Sequence, residues 1–122
     1  MKRIWNASFS IRLVYALCLA GATYNHARIV AEHGLTWDYG GLPFGVSSFW
    51  TALTFIDALA VILLLASPLR GMVLTAGIIL VDVAVNCWVG LVYGFDVASF
   101  VAQVLFLIFV AVTLPIAWRS HS

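Results

Sequence analysis

Residues 46–93 read VSSFWTALTFIDALAVILLLASPLRGMVLTAGIILVDVAVNCWVGLVY, and the fold follows from this stretch. Two apolar runs, 46–66 and 71–93, are joined by the basic turn Ser67-Pro68-Leu69-Arg70-Gly71. A run of about 20 residues, wound as a helix at ~1.5 Å per residue, spans about 30 Å, the thickness of a bilayer core. In lipid every backbone N–H and C=O must be satisfied internally, which a single helix does by itself. Pro68 is expected to end the first of these helices and Gly71 to open the next. So short a link makes the two antiparallel neighbours.

Reading outward, a third apolar run at 97–118 follows the equally short link Gly94-Phe95-Asp96, and a fourth precedes at 9–30. The expectation is an all-α integral membrane protein, a four-helix up-down bundle forming one domain over residues 1–122. The segment between 32 and 45 is the longest connection, with four glycines, Pro43 and the aromatics Trp37, Tyr39 and Phe44. It reads as a structured loop lying at the membrane surface.

Composition agrees. The chain is 64% hydrophobic and 9% charged, with a mean hydropathy of +1.08, whereas soluble domains carry about 45–50% apolar and about 25% charged residues. A net charge of +1 provides no basic patch for nucleic acid. Lys2 and Arg3 ahead of an apolar run, with Ala20-Gly21-Ala22 beyond it, have the form of a secretory signal peptide. Arg12 at the mouth of the run, and continuation of the run past the supposed cut, favour a retained first membrane helix instead.

The basic residues set an expected orientation. Lys2, Arg3, Arg12, Arg70 and Arg119 fall on one side and Arg28 on the other. The expected location is the cytoplasmic (inner) membrane, multi-pass, with both termini in the cytoplasm and the aromatic loop outside. Trp5, Trp37, Trp50, Trp88, Tyr93 and Trp118 near helix ends fit an aromatic belt at the interfaces.

Charges inside a bilayer are costly, usually face the bundle interior and often mark function. Asp57 and Asp82 each lie eleven residues into adjacent antiparallel helices, so both carboxyls are expected near the midplane. Facing each other, they cannot both be ionised cheaply, so one would be protonated or the pair would share a proton. Such a pair could handle protons or bind substrate, or could simply hydrogen-bond helices together. A second polar layer lies about 8–10 Å from the outer helix ends: Asn25, His26, Thr51, Asn86 and Gln103. Asp82 shares a face with Asn86, and Thr54 with Asp57, by their spacing of four and three. Together they outline a polar pocket opening outward, floored by the aspartates and roofed by Trp37 and Tyr39. In an enzymatic version an aspartate moves a proton and His26 orients the substrate, hydrogen-bonding Asn86, Gln103 or a ligand head group.

Other chemistry has less support. His33 lies beyond the helix end and His121 on the opposite side, so no second intramembrane histidine completes a haem site with His26. One histidine and two distant carboxylates do not make a metal site, and the cofactor is left unknown. Cys18 and Cys87 differ in depth by about 10 Å, which disfavours a disulfide. Arg28 and Glu32, four apart, read as a surface pair. Ala16 with Ala20, Gly90 with Gly94, and Ala98 with Ala102 read as close-packing positions.

With the helices placed, the chain resembles the DoxX-like group of small four-helix membrane proteins. The likeness rests on Ile11-Arg12-Leu13-Val14-Tyr15-Ala16-Leu17 with Gly21 after it, and on Leu63-Leu64-Leu65-Ala66-Ser67-Pro68-Leu69-Arg70-Gly71. The topology covers nearly the whole chain. The resemblance implies the bundle architecture and either quinone-coupled sulfur oxidation or an accessory role in a membrane complex. It assigns no catalytic residue, and the paired midplane aspartates are not matched to that group.

Two functions are therefore expected to compete. One is binding of a small molecule or lipid in the outward pocket. The other is an accessory or interaction subunit of a larger membrane complex, redox complexes included, with an oligomeric channel or transporter as a third form. The expected partners are membrane lipid, a small-molecule ligand, and a second copy or a membrane-complex subunit. The orientation is directly testable: a reporter fused after Arg119 should read as cytoplasmic, and an exterior reading would reverse it.

Overall fold

The computed structural model describes residues 7–120; Lys2, Arg3, Trp5 and His121 lie outside them. Four helices follow one another: α1 (Ala7–His33), α2 (Phe44–Ala66), α3 (Pro68–Tyr93) and α4 (Val97–Arg119). All four are long and apolar enough to cross a membrane. Each helix packs against its neighbours in the chain and α1 closes on α4, while α1 and α3 touch only slightly across the diagonal. The result is an all-α four-helix membrane bundle, and the chain is a multi-pass membrane protein.

The distribution of side chains is that of a bundle whose solvent is lipid. On α2, Ser47, Thr51, Thr54, Asp57, Ala60 and Leu64 recur at steps of three or four and are all buried. On the outer surface Phe55, Leu59 and Ile62 are exposed on α2, and Val101, Leu105, Ile108 and Val112 on α4. These are helical stripes of large apolar side chains, which in water would be an association hazard and in hydrocarbon are simply solvated.

The α2–α3 joint differs from the sequence expectation. Pro68 does not lie in a five-residue turn; it is the first residue of α3, and Ser67 alone is non-helical, at φ −143° and ψ 83°. Proline is well suited to that position, since the first helical N–H has no partner in any case. It also drives the preceding residue out of the helical region, which ends α2. Gly71 thus lies one turn inside α3, not at its start. There α3 runs hard against the end of α2, and a Cβ on Gly71 would collide with the backbone of Leu63 and Leu64.

The same joint gives Arg12 a role beyond marking orientation. The last α2 bond runs from the Ser67 N–H to the Leu63 carbonyl at 2.7 Å. The next carbonyl, Leu64, faces Pro68, which has no N–H to offer. Arg12, only 6% exposed, fills the gap: its Nη1 donates to the Leu64 carbonyl at 2.7 Å, and its Nε to Ser8 Oγ at 3.2 Å. A cation at a helix C-terminus also complements the macrodipole.

Further along α1, fully buried Tyr15 reaches α4. Thr113 Oγ1 spends its one proton on the Phe109 carbonyl at 2.6 Å, so Tyr15 is the donor in the 2.6 Å bond between the two hydroxyls. Within the single chain the small-residue pairs, expected to pack in the bundle or in a dimer, are not buried as a set: Ala16 is buried but Ala20 exposed, and Ala98 and Ala102 are both exposed. Gly90 makes room for the Phe95 ring, and Gly94 is needed for its positive φ of 106°.

Gly71 and Gly77 supply a test with opposite signs. Gly71→Ala should destabilise the bundle by about 1–3 kcal/mol, the usual cost of forcing extra volume into a packed site. Gly77, with open space around it, should gain about 0.5–1 kcal/mol as alanine. Unfolding in mixed micelles would measure both, and equal effects would remove the close α2–α3 approach as the cause.

Candidate functional site

Antiparallel geometry builds the site. Side chains lean toward the N-terminus of their own helix, so His26 on α1 and Asp57 on α2 lean toward each other. His26 Nε2 comes within 3.8 Å of Asp57 Oδ2, close enough for an ion pair but too long for a direct hydrogen bond. Asp57 is 2% exposed. Its other oxygen, Oδ1, is buried without a hydrogen-bond partner, and so is His26 Nδ1. The expected partnership of His26 with Asn86 or Gln103 is not what forms; the neighbour of His26 is Asp57.

Asn86 is instead the hub that joins the other three helices. Its Nδ2 donates to Asp82 Oδ1 at 3.0 Å and to Gln103 Oε1 on α4 at 2.7 Å. Its Oδ1 accepts from Trp50 Nε1 on α2 at 2.9 Å. An indole can only donate, so the amide orientation is fixed by that bond, and both amide protons are then used. Trp50, which the sequence places in the interfacial belt, is therefore a structural donor at the site.

An aromatic ladder continues from Trp50 into the long loop. Trp50 meets Tyr39 edge to face at 5.1 Å, Tyr39 meets Trp37 at 4.6 Å, and Trp37 stacks on His33 at 3.7 Å. Tyr39 holds a left-handed φ of 57°, which costs a non-glycine residue roughly 1–2 kcal/mol. The turn that imposes it is anchored on Asp38, whose Oδ1 accepts the Gly40 N–H and whose carbonyl accepts the Leu42 N–H.

Two adjoining cavities lie against these groups. The larger, about 620 Å³, runs along the seam of α1 and α4 and has Asp57 and Asp82 in its wall. The smaller, about 320 Å³, is walled by Tyr39, Trp50, Asn86 and the α3–α4 link. His26, Asp82 and Gln103 border both. The seam is open because of its residue sizes. Ala22 on α1 and Ser99 and Ala102 on α4 line it, too little side chain to close two helices that are held further along by Tyr15.

Of the residues singled out in the sequence, Asp57, Asp82, His26 and Gln103 line the larger cavity, with Asn25 exposed at its rim, and Asn86 and Tyr39 line the smaller. Thr51 and Thr54 are buried but line neither, and Thr54 Oγ1 is without a partner. Trp37 lines neither and acts through its stack with Tyr39. Arg28 and Glu32 pair at 3.6 Å with half of each side chain exposed. Cys18, Asp96 and Ser99 are wall residues that the sequence reading did not place. Their signal was spacing: Cys18, Ala22, Asn25 and Ile29 share one face of α1, and Ser99, Ala102 and Phe106 one face of α4. Both cysteines are free thiols. Among the described residues, no three of histidine, cysteine, aspartate and glutamate gather to hold a metal ion.

Compared with known protein families, with curated proteins and with solved structures, the chain matches none.

The Asn86 hub can be measured. A double-mutant cycle with Asn86→Ala and Gln103→Ala, followed by unfolding in mixed micelles, should give a coupling of about 0.5–2 kcal/mol, the range of interhelical hydrogen bonds in membrane proteins. Strict additivity would dissolve the hub.

Proposed function

We propose that this membrane protein binds a small molecule in the cleft between α1 and α4, with Asp57 and Asp82 as its polar contacts and His26 beside them. One observation carries the reading. Asp57 is almost fully buried, keeps an unpartnered carboxyl oxygen, and borders a cavity of about 620 Å³. Sites for small ligands occupy about 300–1,000 Å³, mostly apolar with a few convergent polar groups. A buried acceptor without a donor costs free energy, and a ligand donor would recover it. Asn25 at the rim, and Asn86, Gln103 and Tyr39 around the adjoining cavity, would orient the molecule, with Thr51, Thr54 and Trp37 supporting the walls. Any proton exchange with the ligand would fall to the two aspartates.

The competing reading is an accessory subunit whose polar groups meet a partner, as the DoxX-like resemblance would allow. What weighs against it is the direction of the polar groups: Asn86 meets Trp50, Asp82 and Gln103 within the chain, and Asp57 faces His26 rather than the lipid surface. The basic residues support a cytoplasmic-membrane location with both termini inside.

Native mass spectrometry of the protein, extracted gently from its own membrane, tests the reading. A bound small molecule or defined lipid is expected, lost in Asp57→Asn and Asp82→Asn while the proteins remain folded. Co-purifying subunits with no small ligand would overturn it in favour of the accessory role.

A further inference from the structure

The chemistry of the cleft wall narrows the ligand class, an inference that rests on the binding reading above. Three carboxyls line the two cavities: Asp57, Asp82 and Asp96. The cationic groups beside them are Arg28 and the His26 imidazole. Arg28 is already matched by Glu32, so the wall as a whole carries an excess of carboxyls. Two of them are engaged. Asp82 accepts from Asn86 at 3.0 Å, and Asp96 caps α4 by accepting from the Ser99 hydroxyl at 3.0 Å. Asp57 is the carboxyl whose Oδ1 is left bare.

An ionised carboxylate at this depth needs counter-charge and hydrogen-bond donors, since an unpaired ion buried away from water is heavily penalised; His26 Nε2, 3.8 Å from Oδ2, leaves Oδ1 without a donor. A ligand that brings both a positive charge and N–H donors supplies the counter-ion and the missing hydrogen bond together. Beside these groups and the amides Asn25, Asn86 and Gln103, much of the wall is apolar. Leu19, Ile78, Ile79 and Phe106 surround the aspartates in the larger cavity. The smaller one is lined by Tyr39, Phe95 and Phe100, side chains of the kind whose ring faces attract cations.

We propose that the cleft takes a small lipophilic ammonium ion, its N–H donors on Asp57 and its apolar body along Ile78, Ile79 and Phe106. A quaternary ammonium would leave the Asp57 oxygen without a donor. An aminophospholipid would bring its phosphate against the same carboxyls. A free primary or secondary amine meets both requirements.

Three probes of one size and different charge separate the cases: 2-phenylethylammonium, 2-phenylethanol and phenylacetate. Binding is measured by calorimetry on the whole protein in neutral detergent micelles, with empty micelles as the blank. The amine should bind about ten-fold tighter than the alcohol, because it brings a counter-charge as well as a donor to the carboxylate, and phenylacetate weakest of all. Asp57→Asn should remove the preference for the amine over the alcohol. Ala102→Trp, which fills the cleft and leaves every carboxyl in the sequence, should abolish binding of amine and alcohol alike.

The wild-type comparison alone keeps the proposal falsifiable if Asp57→Asn does not fold. Alcohol or phenylacetate binding as tightly as the amine overturns the charge preference and leaves the cleft as a binding site. Full amine binding in Ala102→Trp puts the site elsewhere and overturns the proposal. Wild-type protein that takes up none of the probes overturns it too, whereas the broader binding reading falls only if the native mass spectrum is also without a small molecule.

Discussion

A backbone carbonyl buried in an apolar bundle cannot be left bare, and the α2–α3 joint is where this chain meets that constraint. Pro68 shortens the link to one residue and removes the N–H that the Leu64 carbonyl would otherwise receive. Arg12 supplies the replacement from α1. One bond therefore closes the end of α2, fixes α1 along it, and gives a buried guanidinium an acceptor at the negative end of a helix. The tight joint and the buried arginine are two halves of one solution. Either alone would be costly, the one through an orphan acceptor and the other through an unpaired charge.

The cavity follows from where the remaining ties fall. At the end away from the loop, α1 is held to α2 by Arg12 and to α4 by the Tyr15–Thr113 bond. At the loop end, Asn86 gathers α2, α3 and α4 through Trp50, Asp82 and Gln103. The loop-end half of α1 sits beside that network without joining it. Its seam with α4 is faced by Ala22, Ser99 and Ala102, and there the two helices stand apart. The cleft is thus what remains when two polar clusters close the rest of the bundle.

The fold was legible in the sequence because length and hydropathy decide it: four runs long enough to cross a bilayer, three of them joined by links too short for anything but antiparallel neighbours. The aspartates were legible for the same reason, since a charge stands out in an apolar run. What could not be read was rotation. In a soluble helix the polar face points outward and fixes the inside. Here the exposed stripe Phe55, Leu59, Ile62 is as apolar as any core, so nothing local says which way Thr51 or Thr54 turns. The further roles of Arg12 and Trp50 were not legible because each has a sufficient local explanation, a basic flank and an interfacial aromatic. Their partners, a carbonyl 52 residues away and an amide 36 residues away, belong to other helices.

The departures from good local structure are not scattered. Tyr39 holds a left-handed backbone; its hydroxyl, Asp57 Oδ1, His26 Nδ1 and Thr54 Oγ1 are the buried polar atoms without partners among the described residues. The α2–α3 joint is by contrast satisfied, through the donor that Arg12 lends a proline-bounded carbonyl. If these orphaned groups were ordinary packing imperfections, nothing would gather three of them beside the cavities. Folded chains tend to break local rules where function requires it, and three of the four orphaned atoms belong to residues that border the two cavities. The free energy forgone there would be recovered by a molecule that brings hydrogen-bond donors with it, and this, more than the size of the cleft, supports the proposed reading of it as a binding site rather than a gap in the packing.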